Sequence, residues 1–150
     1  GQLLRNWLVP HVLPVLTGFG AARRTLFKTL SQVQIQYHDS LLSGGRAGEI
    51  IGGDRVPWVR HADGGDNFEA MRTLEWQLHV YGRPDPLLMA AAQVLHLPLH
   101  AWPWSAAAEE AGLLEDAAYL IRPDMHVALA MPRQEVDALR DMIARFQLRF

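Results

Sequence analysis

The chain lacks cysteine altogether, which excludes disulfide bonds, thiolate metal sites and thiol–disulfide exchange. It also lacks a basic surplus, because 14 Lys and Arg stand against 16 Asp and Glu and leave a net charge of −2. This balance argues against nucleic-acid binding. No apolar run reaches the roughly 20 residues of a membrane span, since Pro10 and Pro14 interrupt the longest candidate. We therefore expect a cytoplasmic protein that binds neither nucleic acid nor membrane.

The motifs of several site classes are missing as well. The glycines of Gly18–Ala22 follow a helical pattern and lack the third glycine of a dinucleotide fingerprint, so they do not predict a pyrophosphate cradle. His96 and His100 are separated by Pro98, and no third ligand completes a metal set by spacing. Asp63–Asn67 does not meet the spacing of a calcium loop and is interpreted as a solvated turn. The sequence predicts no catalytic, cofactor-binding or metal-binding residue.

What the chain does contain is the composition of a soluble globular domain, with 49% apolar and 20% charged residues in 150. Residues 1–32 are predicted to be helical, with breaks at the prolines, and they carry many apolar side chains. These side chains pack either on their own domain or on another domain or subunit, and the sequence favours neither. Val33–Tyr37 alternates as a strand does, and 38–67 is rich in Gly and charge and predicts a long irregular segment.

From residue 73 the pattern is regular. The alternation over 73–81 predicts a strand with one buried face, and Pro86–His96 predicts a short helix. Further elements are a strand over Leu97–Trp104, a helix over 106–112 capped by Ser105, a hairpin over 118–131 and a closing helix after Pro132.

This order predicts an α/β fold with a thioredoxin-like mixed sheet, in which a strand–helix–strand unit precedes a β-hairpin and a closing helix. A right-handed crossover makes the first two strands parallel and places the hairpin antiparallel beside them. The predicted domains are a helical lead-in at 1–32 and a thioredoxin-like domain at 33–150, so N-terminal helices precede the sheet.

Three segments occur in a distinctive order: Tyr37-His38-Asp39-Ser40-Leu41-Leu42, Gly53-Asp54-Arg55-Val56-Pro57 and Leu120-Ile121-Arg122-Pro123-Asp124-Met125-His126-Val127-Ala128. Together they resemble the C-terminal domain of FAD-dependent aromatic hydroxylases, the group of phenol hydroxylase and para-hydroxybenzoate-hydroxylase-like monooxygenases. Leu41 and Trp58 depart from that pattern, in which proline and an acidic residue are common at these places.

The resemblance implies a larger parent enzyme, an oxidoreductase that binds FAD in one domain and its aromatic substrate in another. NAD(P)H, whether NADH or NADPH, would reduce the flavin. The C-terminal domain of that family carries none of this chemistry, so the resemblance implies no cofactor in this chain. The partners that it implies are the FAD-binding and substrate domains of the parent, with a homo-oligomer also possible.

Eight residues are predicted to have structural or interface roles: Tyr37, Asp54, Arg55, Pro57, Trp102, Trp104, Arg122 and Asp124. Asp54 and Asp124 are predicted to accept backbone hydrogen bonds in turns, Arg55 to form a salt bridge, and Arg122 to pair across the hairpin. Trp102 and Trp104 are predicted to form a contact patch.

The predicted function is therefore that of a catalytically silent structural or oligomerisation domain of a flavin-dependent aromatic monooxygenase. The alternative is a stand-alone module that binds a small molecule or a protein with a redox-inactive thioredoxin-like fold. If the chain is such a structural domain, the parent protein is an enzyme and this chain alone is not.

Overall fold

A six-stranded mixed sheet organises the part of the chain that the computed structural model describes, residues 42–150. The strands are β1 (Gly44–Ala47), β2 (Ile50–Ile51), β3 (Gln77–Tyr81), β4 (Leu99–Trp102), β5 (Ala118–Ile121) and β6 (Val127–Met131). The helices are α1 (Pro86–Val94), α2 (Ala106–Glu110) and α3 (Val136–Phe146), and a 3-10 helix spans Ala70–Thr73. The predicted N-terminal helices, the strand at Val33–Tyr37 and the domain boundary at residue 32 lie outside the described residues.

The sheet has the strand order β2-β1-β6-β5-β3-β4. Strands β3 and β4 are parallel and are joined through α1, while β5 is antiparallel to both β3 and β6. This confirms the predicted mixed α/β sheet, with its strand–helix–strand unit, hairpin and closing helix. The first two helices begin where the sequence predicts, because Asp85 and Ser105 accept hydrogen bonds from Leu87 N and Ala108 N at their N-termini.

Each face of the sheet is covered by its own apolar cluster. Leu78, Val80 and Leu120 pack beneath α1 and α3, and the buried side chains of α3 are Leu139 and Met142. On the opposite face, α2 and the segment from Val56 to Met71 cover a cluster that contains two tyrosines, Tyr81 and Tyr119. Alternate residues of the central strands therefore enter two different cores.

The prediction of a strand over 73–81 with one buried face is wrong in two respects. The strand is limited to Gln77–Tyr81, and all five of its residues are buried. Leu74, assigned by alternation to the buried side, has a left-handed φ of 54° and is exposed. Because covers lie on both faces of the sheet, the polar residues of β3 are inside the protein and not in solvent.

The prediction of an irregular segment over 38–67 is also wrong, because it contains β1 and β2. Its glycines permit the close approach of neighbouring strands. A Cβ on Gly45, whose φ is +71°, would lie 2.1 Å from Ala130 O, and one on Gly52 would lie 2.2 Å from Gly44 N. Glycine has no side chain to pack and a low β-propensity. The glycine-rich sequence of this segment therefore did not predict these strands.

Candidate functional site

Two of the three family-like segments lie side by side in the structure, although about 70 residues separate them. Gly53 N donates to Val127 O at 2.7 Å, Val127 N donates to Asp54 O at 2.8 Å, and Val56 N donates to Met125 O at 2.9 Å. Arg55 and His126 form an antiparallel bridge. The segment 53–57 therefore pairs with the hairpin turn as a short extra strand, and we call this pairing the motif junction.

Aspartates fix the turns on both sides of the motif junction. Asp54 Oδ2 accepts a hydrogen bond from Ile51 N at 2.8 Å. In the hairpin turn, Arg122 Nη2 lies 2.5 Å from Asp124 Oδ2, and His126 N donates to Asp124 Oδ1 at 3.3 Å. Arg122 thus pairs with Asp124 within the turn. These contacts stabilise the backbone geometry of the two turns.

Pro57, the last residue of the segment 53–57, takes part in a buried polar network through its carbonyl oxygen. The side chain of Asn67 is fully buried, and its Nδ2 donates to Pro57 O at 2.8 Å and to the Tyr81 hydroxyl at 2.9 Å. Its Oδ1 accepts from Val59 N at 2.8 Å. Asn67 therefore ties the segment that covers this face of the sheet to β3.

Trp102 is the centre of a histidine–aromatic cluster that comprises His61, His79, Tyr81, His100 and Trp102. The Trp102 ring stacks on His61 and His100, with centroids 5.0 and 5.8 Å apart. His79 meets Trp102 edge-on at 4.8 Å, and Tyr81 lies 5.3 Å from it. Strand register produces this arrangement, because His79 pairs with His100 and Tyr81 pairs with Trp102.

Hydrogen bonding in this cluster is incomplete. His79 Nε2 lies 3.0 Å from Gln77 Oε1, and Gln77 Nε2 donates to Ala70 O at 2.9 Å. Within residues 42–150, two buried ring nitrogens have no hydrogen-bond partner, His79 Nδ1 and His61 Nε2. Such orphaned atoms are rare in proteins, and each costs free energy relative to a hydrogen-bonded atom.

Burial keeps the groups of this face neutral. Burial, with smaller contributions from the nearby His100 and His61, lowers the pKa of His79 to about 3. Burial also lowers the pKa of His100. It raises the pKa of Tyr81, against the hydrogen bond from Asn67, and raises that of Tyr119 to about 12. His79, Tyr81 and Tyr119 are therefore not poised to exchange a proton near pH 7, as a general acid or base must be.

Trp104 lies with Trp102 along an open cleft of about 500 Å³ at the carboxyl ends of β3 and β4. The charged residues that line this cleft are Arg83, Glu115 and Asp116. Arg83 N donates to Asp116 Oδ1 at 2.7 Å, and the two side chains form a salt bridge of 3.3 Å. The hydrogen bond from Arg83 N is the main reason that the pKa of Asp116 is lowered. Gln134 donates to Arg83 O and Asp116 O, which holds this loop in place.

The turn between β3 and α1 does not fit the pyrophosphate of FAD. A dinucleotide site offers free backbone N–H groups at a helix N-terminus. Here the Asp85 carboxylate occupies that position and accepts from Leu87 N at 2.7 Å, and Pro84 and Pro86 have no N–H to offer. Of the residues described, none forms a cluster of three or more metal-ligating side chains.

In the part of the chain that the structure describes, the outer face of α1 is apolar and exposed. Leu87, Met89 and Val94 are 73%, 48% and 79% exposed. A groove of about 750 Å³ runs between α1 and α3, and its acidic residues are Asp85, Glu135 and Asp137. A helix that is apolar on all sides is ordinarily buried in a larger protein. None of the helices within residues 42–150 is long and apolar enough to cross a membrane.

The site residues that the sequence proposed fall into two groups in the structure. Asp54, Arg55, Arg122 and Asp124 meet at the motif junction, while Trp102 and Trp104 lie on the cleft and Tyr37 lies outside the described residues. Sequence reasoning missed His79, Gln77 and Asn67. Their signal was weak, since a polar residue in an alternating strand ordinarily indicates the solvent face.

The fold is a mixed α/β domain found within larger aromatic hydroxylases. OxyS anhydrotetracycline hydroxylase from Streptomyces rimosus matches 93% of this chain with 28% of its own, at 20% identity and a TM-score of 0.52. CabE, an aromatic hydroxylase from angucycline biosynthesis, matches 92% with 28% of its chain, at 23% identity and a TM-score of 0.53. The TM-scores of these two matches establish a shared fold, and at the level of the fold they confirm the resemblance drawn from the three segments.

The flavin-dependent monooxygenase PieE, solved with FAD and substrate, matches 67% of this chain with 20% of its own, at 20% identity and a TM-score of 0.47. That score is too low to add to the fold assignment. The chain spans between 20% and 28% of the length of these three proteins. Neither a protein-family model nor a curated protein sequence matches it.

Proposed function

We propose that this chain is the C-terminal, thioredoxin-like domain of a FAD-dependent aromatic monooxygenase and that it has a structural role there. The fold shared with two aromatic hydroxylases supports membership, as do the family-like segments that pair at the motif junction. FAD and NAD(P)H would act in other domains of the parent. The turn after β3 contains Gly82-Arg83-Pro84-Asp85 and no thiol, so the domain is redox-inactive.

The observation that carries the structural role is the uncovered apolar face of α1. Three large apolar side chains in one nine-residue helix are at least 48% exposed, which is unusual for a monomer and typical of an interface. The proposed occupant is the rest of the parent chain, namely its FAD-binding and substrate domains. A second copy of this domain is the competing occupant, and the chain's own mass in solution distinguishes the two.

The first experiment measures the mass of the natural polypeptide with an antibody against this chain. The proposal predicts a product several times larger than 16.9 kDa. A natural product near 16.9 kDa would contradict it. In parallel, a flavin titration of the chain is expected to show no binding, and tight stoichiometric binding would disprove a catalytically silent role.

The second experiment tests the face itself with charged substitutions. The double variant Leu87→Asp/Val94→Asp is expected to leave the unfolding midpoint of this chain unchanged, because both side chains are exposed, and to reduce thermal stability and flavin retention of the parent enzyme. Leu88→Ala is the matched control, since Leu88 is buried in the same helix and its loss destabilises chain and parent alike. A parent enzyme unaffected by the double variant would exclude α1 as the interface.

A binding module is the second candidate, and the cleft beside Trp102 and Trp104 is the observation that favours it. Two aromatic rings at its rim suit a planar aromatic molecule. Tryptophan fluorescence with a panel of neutral and charged aromatic compounds tests this. A saturable change that Trp104→Ala abolishes would support binding, and its absence would leave the structural role alone.

A further inference from the structure

We propose that residues 56–69 form an acid-sensitive cover, closed over the histidine–aromatic cluster while His79 and His100 are neutral and released when they take up protons. We call these residues the covering segment. Val56 and Val59 pack into the core with Tyr81 and Tyr119, and His61 stacks on Trp102. This inference concerns stability and movement, and it is independent of the proposed parent enzyme.

Among residues 42–150, the geometry places three imidazoles together with no buried carboxylate beside them. His79 is fully buried and faces His100 on β4 and Tyr119 on β5, with Tyr81 two residues along its own strand and His61 on the covering segment. The charged side chains of the covering segment, the 3-10 helix and α2 are Arg60, Asp63, Asp66, Glu69, Arg72, Glu109 and Glu110, and none of them is buried. A proton on His79 therefore has no buried carboxylate to pair with.

A small set of polar contacts accompanies the apolar packing of the covering segment. Asn67 provides its polar attachment to β3 through the Tyr81 hydroxyl, at 2.9 Å. Within the segment, Val59 N donates to Asn67 Oδ1 at 2.8 Å and Asn67 N donates to Val59 O at 3.2 Å. The orphaned nitrogens His61 Nε2 and His79 Nδ1 lie on its two sides. Opening the segment hydrates His79 Nδ1, so the open form is the one that binds a proton at His79.

The direction of the pH effect follows from this difference in proton affinity. When open, His79 binds a proton below its ordinary pKa of 6.5, whereas in the closed form its pKa is about 3. Between these values the open form holds more protons, so the closed form loses stability as pH falls through this window. One proton bound on opening shifts the equilibrium about tenfold for each pH unit.

Amide hydrogen exchange of the full chain tests the proposal residue by residue. After correction for intrinsic rates, the protection factors of the Val59 and Asn67 amides are expected to fall about 50-fold between pH 6.5 and 4.5, because one proton binds on opening with a pKa of 6.5. They are also expected to lie below those of β5 amides at each pH, because the cover opens without the sheet. Constant protection over this range, or protection equal to that of β5, would overturn the proposal.

Substitutions identify the proton acceptor. His79→Leu is expected to reduce the fall in protection at least tenfold, and His100→Gln, at a half-buried position, provides a milder variant if His79→Leu does not fold. His96→Asn is the matched control, because His96 is exposed and has a φ of 54°, which asparagine adopts readily. A fall in protection that persists in full in both His79→Leu and His100→Gln would also refute the proposal.

Discussion

Replacing Asn67 with alanine is the substitution for which the structure predicts the largest polar effect. The side chain is fully buried and makes three hydrogen bonds, to Pro57 O, Val59 N and the Tyr81 hydroxyl, all between 2.8 and 2.9 Å. Alanine leaves a buried donor, a carbonyl and a hydroxyl without their partner. Each unsatisfied buried group costs about 1–3 kcal/mol.

The expected loss in the free energy of unfolding is about 3–5 kcal/mol, because water can rehydrate part of the opened segment. That is a large fraction of the roughly 5–15 kcal/mol by which domains are stable. Urea unfolding of the full chain, followed by tryptophan fluorescence, measures it. Asp63→Ala is the control, since it removes one exposed hydrogen bond, to Gly65 N at 3.1 Å, and is expected to change stability by less than about 0.5 kcal/mol.

A double-mutant cycle with Tyr81→Phe separates the contact from the cavity. Asn67 and Tyr81 share one hydrogen bond, so the two losses are expected to be non-additive by about 0.5–3 kcal/mol. An Asn67→Ala variant within about 1 kcal/mol of the parent sequence would refute the reasoning. So would full additivity in the cycle, because the pair would then contribute nothing as a pair.

Other substitutions test the packing of the sheet and the capping of its helices by urea or thermal unfolding. Gly45→Ala is expected to reduce the free energy of unfolding by several kcal/mol more than Gly64→Ala does. Both glycines have positive φ, but a Cβ on Gly45 would lie 2.1 Å from Ala130 O, whereas one on Gly64 has no atom within 4 Å. Equal losses would contradict the close approach of Gly45 to β6. Tyr119→Phe is expected to cost about 1–3 kcal/mol, because its hydroxyl accepts from Leu114 N and donates to Ala47 O, and a neutral result would argue against those bonds. Ser105→Ala is expected to cost about 1 kcal/mol through loss of the helix cap.

The inferred cover and the proposed interface lie on opposite faces of the sheet. The uncovered side chains of α1 flank the core formed with Leu78 and Leu120, while the histidine–aromatic cluster belongs to the face with Tyr81. Failure of either proposal therefore leaves the other intact. An acid-sensitive cover with an unimportant α1 face would indicate a conformational device in a protein that works alone.

The sequence by itself determined the elements whose signals are local. The helix beginning at Pro86 has an aspartate cap and a proline at its first position, and the closing helix repeats apolar residues at helical spacing. The hairpin has two apolar runs around Pro123 and Asp124. Periodicity and turn chemistry act over a few residues, so they can be read without knowledge of the partners.

Tertiary structure decided what those elements face. Whether Gln77 and His79 meet solvent or a second core depends on the covering segment, and Gly45 becomes a strand residue only because β6 lies beside it. The motif junction likewise joins residues about 70 positions apart through backbone hydrogen bonds that no side-chain pattern specifies. Burial on both faces and pairing between distant strands are properties of the assembled sheet, which is why the alternation of a single strand could not reveal them.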